Sequence, residues 1–213
     1  MNRSHENTAL SFERVLFFSD AVFAIVITLL VLELKAPHIE RAVYTEEAMH
    51  HELFELLPKF LGFVYSFFII GMLWIEHHRI FRFIVGWDFG LVARNLVFLL
   101  FVAFVPFPTA LFSENYYSRT AFILYASCFG LAAIGKLWIW RYAVSKRGTM
   151  IAADVDDELI KQISRRSLAV PIVCAIAIGL SFIAVAFGGF AFPLIPLIAH
   201  MLYRKKKEAT AEV

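Results

Sequence analysis

The chain is predicted to be an all-α, polytopic membrane protein, because of its composition and the placing of its charges. Of its 213 residues, 60% are hydrophobic, whereas soluble domains are about 45–50% apolar. The charged residues cluster between apolar runs of about 20 residues, the length that a helix needs to cross a bilayer. We therefore expect one domain over residues 1–213, with six transmembrane helices at about 15–34, 56–75, 92–112, 119–142, 168–187 and 190–203.

Proline residues bound or bend the first three predicted spans. Pro37 follows the first span, and Pro58 falls in the first turn of the second, where a missing N–H does no harm. Pro106 and Pro108 predict a kink near the outer end of the third span. The first 13 residues are polar, and no cleavage site follows the first apolar run, which we therefore expect to remain as a span.

The last three predicted spans differ in length and polarity. The fourth contains Lys136, whose amine we expect to reach the inner interface beside Trp138 and Trp140, with a buried salt bridge as the alternative. An amphipathic stretch at 154–166 is expected to link the fourth and fifth spans, or else to lie on the inner membrane surface. The sixth span, at 190–203, is short and carries two prolines.

Lysine and arginine predict the orientation in the membrane. If the N-terminus lies inside, the inner segments carry fifteen of the twenty basic residues and the outer segments carry four, with Lys136 left unassigned. Because basic residues are concentrated on the cytoplasmic side of membrane proteins, we expect a multi-pass protein of the cell membrane with both termini in the cytoplasm.

The stretch from Arg14 to Asp20 leads directly into the first apolar run. Ionisable residues at the end of a transmembrane span usually bind a polar or charged partner or have a functional role. Six positions separate the two residues, so they do not share one stripe of a helix, and we expect them to bind other helices. The alternative is that both are interfacial charges that extend to water.

Residues of this stretch resemble a known family. Arg14, Phe18, Ser19 and Asp20, followed by the run from Ala21 to Leu32, resemble the first transmembrane helix of the transmembrane-protein-175 potassium channel family. Weaker similarity covers 74–79 and 95–109. The resemblance implies a potassium-permeable cation channel with a pore lined by the first helix. It also implies a homotetramer in a lipid bilayer, with monovalent cations as its partners, K⁺ as the permeant ion and no cofactor.

The sequence itself favours an oligomer, because the motif occurs once and a single first helix cannot easily enclose a pore. By resemblance, Ile25 and Leu29 narrow the pore, Leu32 follows one turn later, and Thr28 supplies a hydroxyl close by. Such an apolar constriction can gate by dewetting, as a hydrophobic gate, and gives modest selectivity for K⁺ over Na⁺ because it offers no fixed ion ligands. Spacing alone puts Ile25, Leu29 and Leu32 on one stripe, but it also allows them to face lipid or the core.

Polar residues at the inner ends of three spans are predicted to form one network. Trp74 and His77 are three positions apart on one helix face, and Asn95 opens the third span at the same depth. The resemblance implies that this network holds the pore helix in place and does no chemistry. For His77 we favour a packing role, with pH sensing as the alternative. The predicted members are Arg14, Ser19, Asp20, Trp74, His77 and Asn95.

No motif predicts an enzyme, a metal site or a nucleic-acid site. His77 and His78 are adjacent and point to different helix faces, and a His-Glu-x-x-His spacing is absent. The basic tail at 204–207 follows a predicted span and fits lipid contact. Two other functions remain open: a secondary transporter of protons or a small solute, and a non-conducting membrane scaffold. The lack of charges at the middle of the predicted spans counts against the transporter.

Overall fold

The structure, a computed structural model, describes residues 3–40, 44–189 and 191–204. These residues are almost entirely helical, and one isolated antiparallel bridge joins Ile84 to Ile151 in two connecting segments. The all-α prediction is therefore confirmed. The helices are α1 (Arg3–Leu29), α2 (Glu46–Glu55), α3 (Leu57–Phe81), α4 (Phe89–Phe104), α5 (Pro106–Glu114), α6 (Arg119–Ser145), α7 (Arg147–Met150), α8 (Asp157–Arg166), α9 (Ala169–Ser181), α10 (Val185–Gly189) and α11 (Ile195–Arg204), with 3-10 turns at Leu30–Glu33 and Phe192–Leu194.

Five helical segments among the described residues are long and apolar enough to cross a membrane. They overlap the first five spans expected from the sequence, and they make the chain a multi-pass membrane protein. The third joins α4 to α5, and the fifth joins α8 to α9. The segments are Phe12–Glu33, Leu57–Phe81, Phe89–Glu114, Arg119–Ser145 and Asp157–Ser181.

The sixth expected span consists of shorter pieces. A 3-10 turn at Phe192–Leu194 precedes α11, which has 10 residues, whereas a full span needs about 20. Pro193 and Pro196 explain the short pieces, because proline lacks the N–H that an uninterrupted helix needs. The fifth expected span, at 168–187, is also divided, since α9 ends at Ser181 and α10 starts at Val185.

The predicted kink in the third span coincides with the break between α4 and α5. Val105 separates the two helices, and Pro106 begins α5. The N–H of Val105 bonds the carbonyl of Val102 at 3.2 Å, a tight 3-10 turn. The hydroxyl of Thr109 donates to the carbonyl of Val105 at 2.9 Å. The break therefore leaves these backbone groups hydrogen-bonded inside the bundle.

Helix α6 is the centre of the bundle, with α4 and α9 packed against it. Small side chains allow the close approach: a Cβ atom added at Gly135 would lie 3.3 Å from the Cα atom of Phe98 on α4. Large aromatic side chains fill the remaining space, and Phe98, Phe129 and Trp140 are fully buried. This packing fixes the helices against which α1 and α3 rest.

The predicted linker at 154–166 contains α8, which leads into α9. Asp156 caps α8, because its carboxylate accepts a 2.7 Å hydrogen bond from the N–H of Leu159. Ile163 is buried, and α8 packs against α6 and α11. Arg166, at the end of α8, is thereby brought to the bundle beside α3.

Candidate functional site

One face of α1 packs against the rest of the subunit. Its buried residues are spaced four, three and four positions apart, the interval that keeps side chains on one helix face. This face contacts α3 and α4, and aromatic rings interlock there: Phe23 lies 5.8 Å from Phe98, between ring centroids. The buried residues are Ser19, Phe23, Val26 and Leu30.

The opposite face of α1 carries an uncovered apolar stripe. Ile25, Leu29 and Leu32 are 57%, 41% and 67% exposed. Leu32 lies in the 3-10 turn that follows α1, and residues three apart eclipse each other in a 3-10 helix, so Leu32 stands above Leu29. Phe18, seven positions before Ile25, is also exposed on this side. The four side chains form a continuous stripe, which we call the exposed stripe of α1.

Thr28 lies beside the exposed stripe and is itself exposed. Its hydroxyl donates to the backbone of its own helix, to the carbonyls of Ile25 at 2.8 Å and Ala24 at 3.1 Å. Such back-bonding uses the proton and leaves the hydroxyl oxygen as an acceptor at the surface. Thr28 thus adds one polar atom next to an apolar stripe.

A chain of buried hydrogen bonds joins α1, α3 and α4. The side-chain amide of Asn95 donates to Ser19 Oγ at 2.8 Å, and its carbonyl oxygen lies 2.9 Å from His77 Nε2. Because that oxygen can only accept, Nε2 carries the proton in this arrangement. Ser19 donates in turn to the carbonyl of Val15 at 2.9 Å. All three side chains are buried. Their hydrogen bonds compensate for the free energy that polar groups lose when they leave water.

The imidazole of His77 sits among aromatic rings. Its ring stacks on Phe98 at a centroid distance of 5.3 Å and an interplanar angle of 9°, and it lies 4.4 Å from Phe81. No group of three histidine, cysteine or acidic residues that could hold a metal ion occurs within the part of the chain that the structure describes. The surroundings of His77 suit packing and a single hydrogen bond.

A second link between α1 and α3 lies next to the first. The indole N–H of Trp74 donates to Asp20 Oδ1 at 2.8 Å. Trp74 is partly exposed, whereas His77, one turn further along α3, is buried. The adjacent residues Ser19 and Asp20 of α1 are therefore both linked to α3. Asp20 binds the partly exposed Trp74 directly, and Ser19 is connected to the buried His77 through Asn95.

Arg14 belongs neither to the Ser19–Asn95–His77 chain nor to the Asp20–Trp74 pair. It is exposed, and among the described residues it forms no hydrogen bond or ion pair. Six residues of helix put it about 9 Å along the axis from Asp20. The six residues expected to form one network are therefore arranged as the Ser19–Asn95–His77 chain, the Asp20–Trp74 pair and a separate Arg14.

The interfacial position expected for Lys136 is wrong, and the structure has the alternative, a buried salt bridge. The residue is only 1% exposed, and its amine lies 3.7 Å from Glu76 Oε2 on α3. Small neighbours at Ala132, Ala133 and Gly135 mark this side of α6 as a packing face, which keeps the amine from reaching water. Trp140 is also buried, with its indole N–H donating to Ser164 at 3.0 Å, so it does not lie at the interface.

Two polar clusters were missed by sequence reasoning. Glu76 binds Arg79 at 2.6 Å and Arg166 at 2.9 Å, in addition to Lys136. Elsewhere in the bundle, Ser66 hydrogen-bonds Thr109 at 3.0 Å and Tyr125 of α6 at 3.1 Å. Apart from the pair of Glu76 and Arg79, each contact joins residues far apart in the chain, so local spacing does not reveal it.

A charged cluster lies at the N-terminal end of α4, where the carboxylate of Asp88 is just outside the span. Asp88 caps the helix through the N–H of Leu91 at 2.8 Å, and its other oxygen accepts from Lys146 at 2.6 Å and Tyr142 at 2.8 Å. The hydrogen bond from Lys146 is the main cause that lowers the pKa of Asp88 to about 2, and the same bond raises the pKa of Lys146. The cluster ties α4 to the end of α6.

Comparisons with known proteins agree with this architecture. The family model of the endosomal/lysosomal potassium channel TMEM175 matches residues 14–106. A potassium channel of Chamaesiphon minutus is 36% identical over 175 residues, which cover 81% of this chain and 85% of that protein. The crystal structure of a lysosomal potassium-selective channel TMEM175 homolog from Chamaesiphon minutus matches with a TM-score of 0.75 at 34% identity, over 89% of this chain and 97% of that one. TMEM175 of Gallus gallus, named an endosomal/lysosomal proton channel, is 36% identical over 109 residues, 49% of this chain and 22% of that protein.

The fold and these matches define the class of protein as an ion channel of the membrane. The chain belongs to the TMEM175 family. This confirms the resemblance that the first helix carries, and the family and its relatives are channels, not enzymes, as the sequence predicts.

Proposed function

We propose that the protein is a potassium-permeable cation channel in which α1 of each subunit lines a central pore. The support is twofold. A bacterial relative, 85% of which this chain covers, is named a potassium channel, and the matched crystal structure is described as a potassium-selective channel. The site geometry adds the observation that carries the proposal: α1 is anchored on one face and leaves an apolar stripe uncovered on the other.

The exposed stripe of α1 calls for several subunits around the pore. In a single subunit the stripe points away from the bundle, so one copy encloses nothing. Symmetric copies that turn the stripe toward a common axis would create rings of identical side chains. We propose a homotetramer, as the resemblance implies, with no cofactor and with K⁺ as the permeant ion.

The proposed path crosses a ring of Ile25 and then rings of Leu29 and Leu32. Apolar rings offer no ligands to replace the water around an ion, so a narrow ring disfavours both ions and water and can gate by dewetting. Selectivity then depends on ring width and is modest for K⁺ over Na⁺. Thr28, beside the stripe, supplies one acceptor oxygen near the narrowing.

The hydrogen bonds that Ser19 and Asp20 of α1 form with the neighbouring helices have a positioning role in this proposal. Asn95 and Trp74 attach α1 to α4 and α3 without facing the exposed stripe. They would keep the Ile25 ring at a constant radius from the axis. Arg14 and Phe18 complete the motif at the inner mouth, where the exposed Arg14 is free to contact lipid or a neighbouring subunit.

We place the channel in the cell membrane with both termini in the cytoplasm, following the excess of basic residues in the inner segments. A transporter and a scaffold are the other functions considered. Family membership favours a channel over both. The proton-channel name of vertebrate relatives makes proton permeation a second activity to measure.

Flux into liposomes that contain the purified protein tests the proposal. Potassium flux should exceed sodium flux, and a large organic cation should be excluded. Proton flux is measured in the same vesicles with a pH-sensitive dye. Absence of flux of any ion from correctly assembled protein would refute the channel and favour the scaffold, while saturable flux coupled to a second solute would favour the transporter.

A further inference from the structure

A cavity of about 360 Å³ lies between α3, α6, α9 and α11. Most of its wall is apolar, and three charged side chains, Glu76, Lys136 and Arg166, line the remainder. It lies away from the exposed stripe of α1 and has no part in the proposed ion path. Its apolar lining includes Met72, Leu73, Ile75, Val170, Ile195 and Pro196.

The charges of the ion-pair cluster around Glu76 do not cancel. Glu76 Oε1 accepts from Arg79 at 2.6 Å and Arg166 at 2.9 Å, while its Oε2 is 3.7 Å from the amine of Lys136. Three cations and one carboxylate give a formal charge of +2. The Lys136 contact is longer than a hydrogen bond, so the donors of this buried ammonium are not used up by Glu76. The cluster therefore has capacity to bind an anion.

A second cavity, of about 290 Å³, meets the first at Arg166, which lines both. Its polar lining is basic, since Arg79, Arg82 and Gln162 stand there beside the apolar Phe83, Leu159 and Ile163. A mostly apolar cavity whose neighbour is lined by three arginines and no acidic residue matches a molecule with an apolar chain and an anionic head. In a membrane protein, phospholipids are the abundant molecules of that chemistry.

We propose that the two cavities bind one anionic phospholipid of the inner leaflet. Its phosphate lies between Arg166 and Lys136, which contact the same carboxylate and so can reach one phosphate together. The polar remainder of the head lies against Arg79 and Arg82, and an acyl chain occupies the larger cavity. The net positive charge selects an anionic head over a zwitterionic one. This site does not depend on ion permeation.

Native mass spectrometry of the purified full-length protein tests the site. Dioleoylphosphatidylglycerol, dioleoylphosphatidylcholine and inorganic phosphate are titrated separately. We expect one phosphatidylglycerol per subunit, bound about tenfold more tightly than phosphatidylcholine, because the basic side chains repel the choline cation that only phosphatidylcholine carries. Equal binding of the two lipids overturns the proposal. Inorganic phosphate that displaces phosphatidylglycerol at equal concentration also overturns it, in favour of a site for a free anion.

Three substitutions change the charge of the site in opposite directions. Lys136→Met and Arg166→Gln should each weaken phosphatidylglycerol binding about tenfold. Glu76→Gln should strengthen it, because it removes the carboxylate that competes with the phosphate. If the ion pairs had only a structural role, these substitutions would not change phosphatidylglycerol binding in opposite directions. Arg141→Gln, which alters an exposed arginine of α6, is the control and should leave binding unchanged.

The design does not rest on the buried lysine alone. Glu76 retains two arginines in Lys136→Met, so no carboxylate is left unpaired. If Lys136→Met fails to assemble, Arg166→Gln and Glu76→Gln still test the site, because Arg166 and Glu76 are less buried than Lys136. Unchanged phosphatidylglycerol affinity in both of these variants, with native thermal stability, overturns the site.

Discussion

Asn95 on α4 donates a 2.8 Å hydrogen bond to Ser19 on α1, with both side chains buried. The same amide accepts from His77 on α3, so one residue holds three helices together. Replacing Asn95 by Leu leaves a histidine N–H and a serine oxygen without this partner. We expect the free energy of unfolding to fall by about 1–3 kcal/mol, the usual cost of an unsatisfied buried polar group. Thermal unfolding of the purified protein in detergent measures the change.

The serine variant provides a graded comparison. Ser19→Ala removes one acceptor and leaves the Asn95–His77 bond intact, so it should cost less than Asn95→Leu. Equal stability of wild type and Asn95→Leu would contradict a structural role for the buried chain of hydrogen bonds.

Ile25→Asn tests the proposed constriction. A polar amide would hydrate an apolar ring, so potassium flux should rise and the ratio of potassium to sodium flux should fall toward one. Liposome flux under equal gradients gives both quantities. Ile134→Asn is the matched control, because Ile134 is 51% exposed on α6, close to the value for Ile25, but lies outside the proposed pore. An assembled Ile25→Asn protein with wild-type flux and selectivity would refute the pore assignment.

Trp74→Phe tests the link to Asp20. The substitution keeps an aromatic ring and removes the N–H that binds the carboxylate at 2.8 Å. Since Trp74 is partly exposed, water replaces some of the lost interaction, and we expect a loss of about 1 kcal/mol. Trp138→Phe, on a tryptophan of similar exposure, controls for loss of indole area. If both variants unfold at the same temperature, the bond to Asp20 adds nothing to stability.

The Asp88 cluster predicts a pH dependence of stability. Folding lowers the pKa of Asp88 from 3.8 to about 2, mainly through the hydrogen bond from Lys146. The stabilisation is therefore complete above pH 4 or so, and it is lost as the pH falls through the interval from 3.8 to about 2. Asp88→Asn retains a helix-capping side chain but not the charge. Thermal unfolding between pH 2 and pH 5 should show a weaker decline in this variant than in wild type. Parallel declines would indicate that other carboxylates dominate.

Gly135→Leu tests the close contact of α6 with α4. A Cβ atom at this position would lie 3.3 Å from the backbone of Phe98, and a larger side chain would separate the helices. Overpacking of this kind costs about 1–3 kcal/mol. Gly71→Leu on α3 meets nothing within 4 Å of its added Cβ atom and serves as the control. Similar unfolding temperatures for the two variants would show that the contact can relax freely.

The sequence predicted much of the fold because membrane spans are encoded locally, in the length and apolarity of single runs. It also predicted that Trp74, His77 and Asn95 lie at one depth, which follows from their places near helix ends. It could not predict how each helix is rotated, and this rotation separates Trp74, paired with Asp20, from His77, paired with Asn95. Glu76 and Arg166 are 90 positions apart in the chain. Their contact depends on how the helices pack, which cannot be predicted from a local sequence pattern.

The 3-10 turn after α1 has a geometric consequence for the stripe that precedes it. Four residues of α-helix carry the chain about 6 Å along the axis from Ile25 to Leu29. Three residues at the 3-10 rise add about 6 Å more to Leu32, without the sideways rotation that continued α-helix would give. The three side chains therefore stand at even intervals of about 6 Å, with Leu29 and Leu32 in line and Ile25 turned by about 40° around the axis. Leu29 is therefore the one residue of the three that has another of them about 6 Å away on each side.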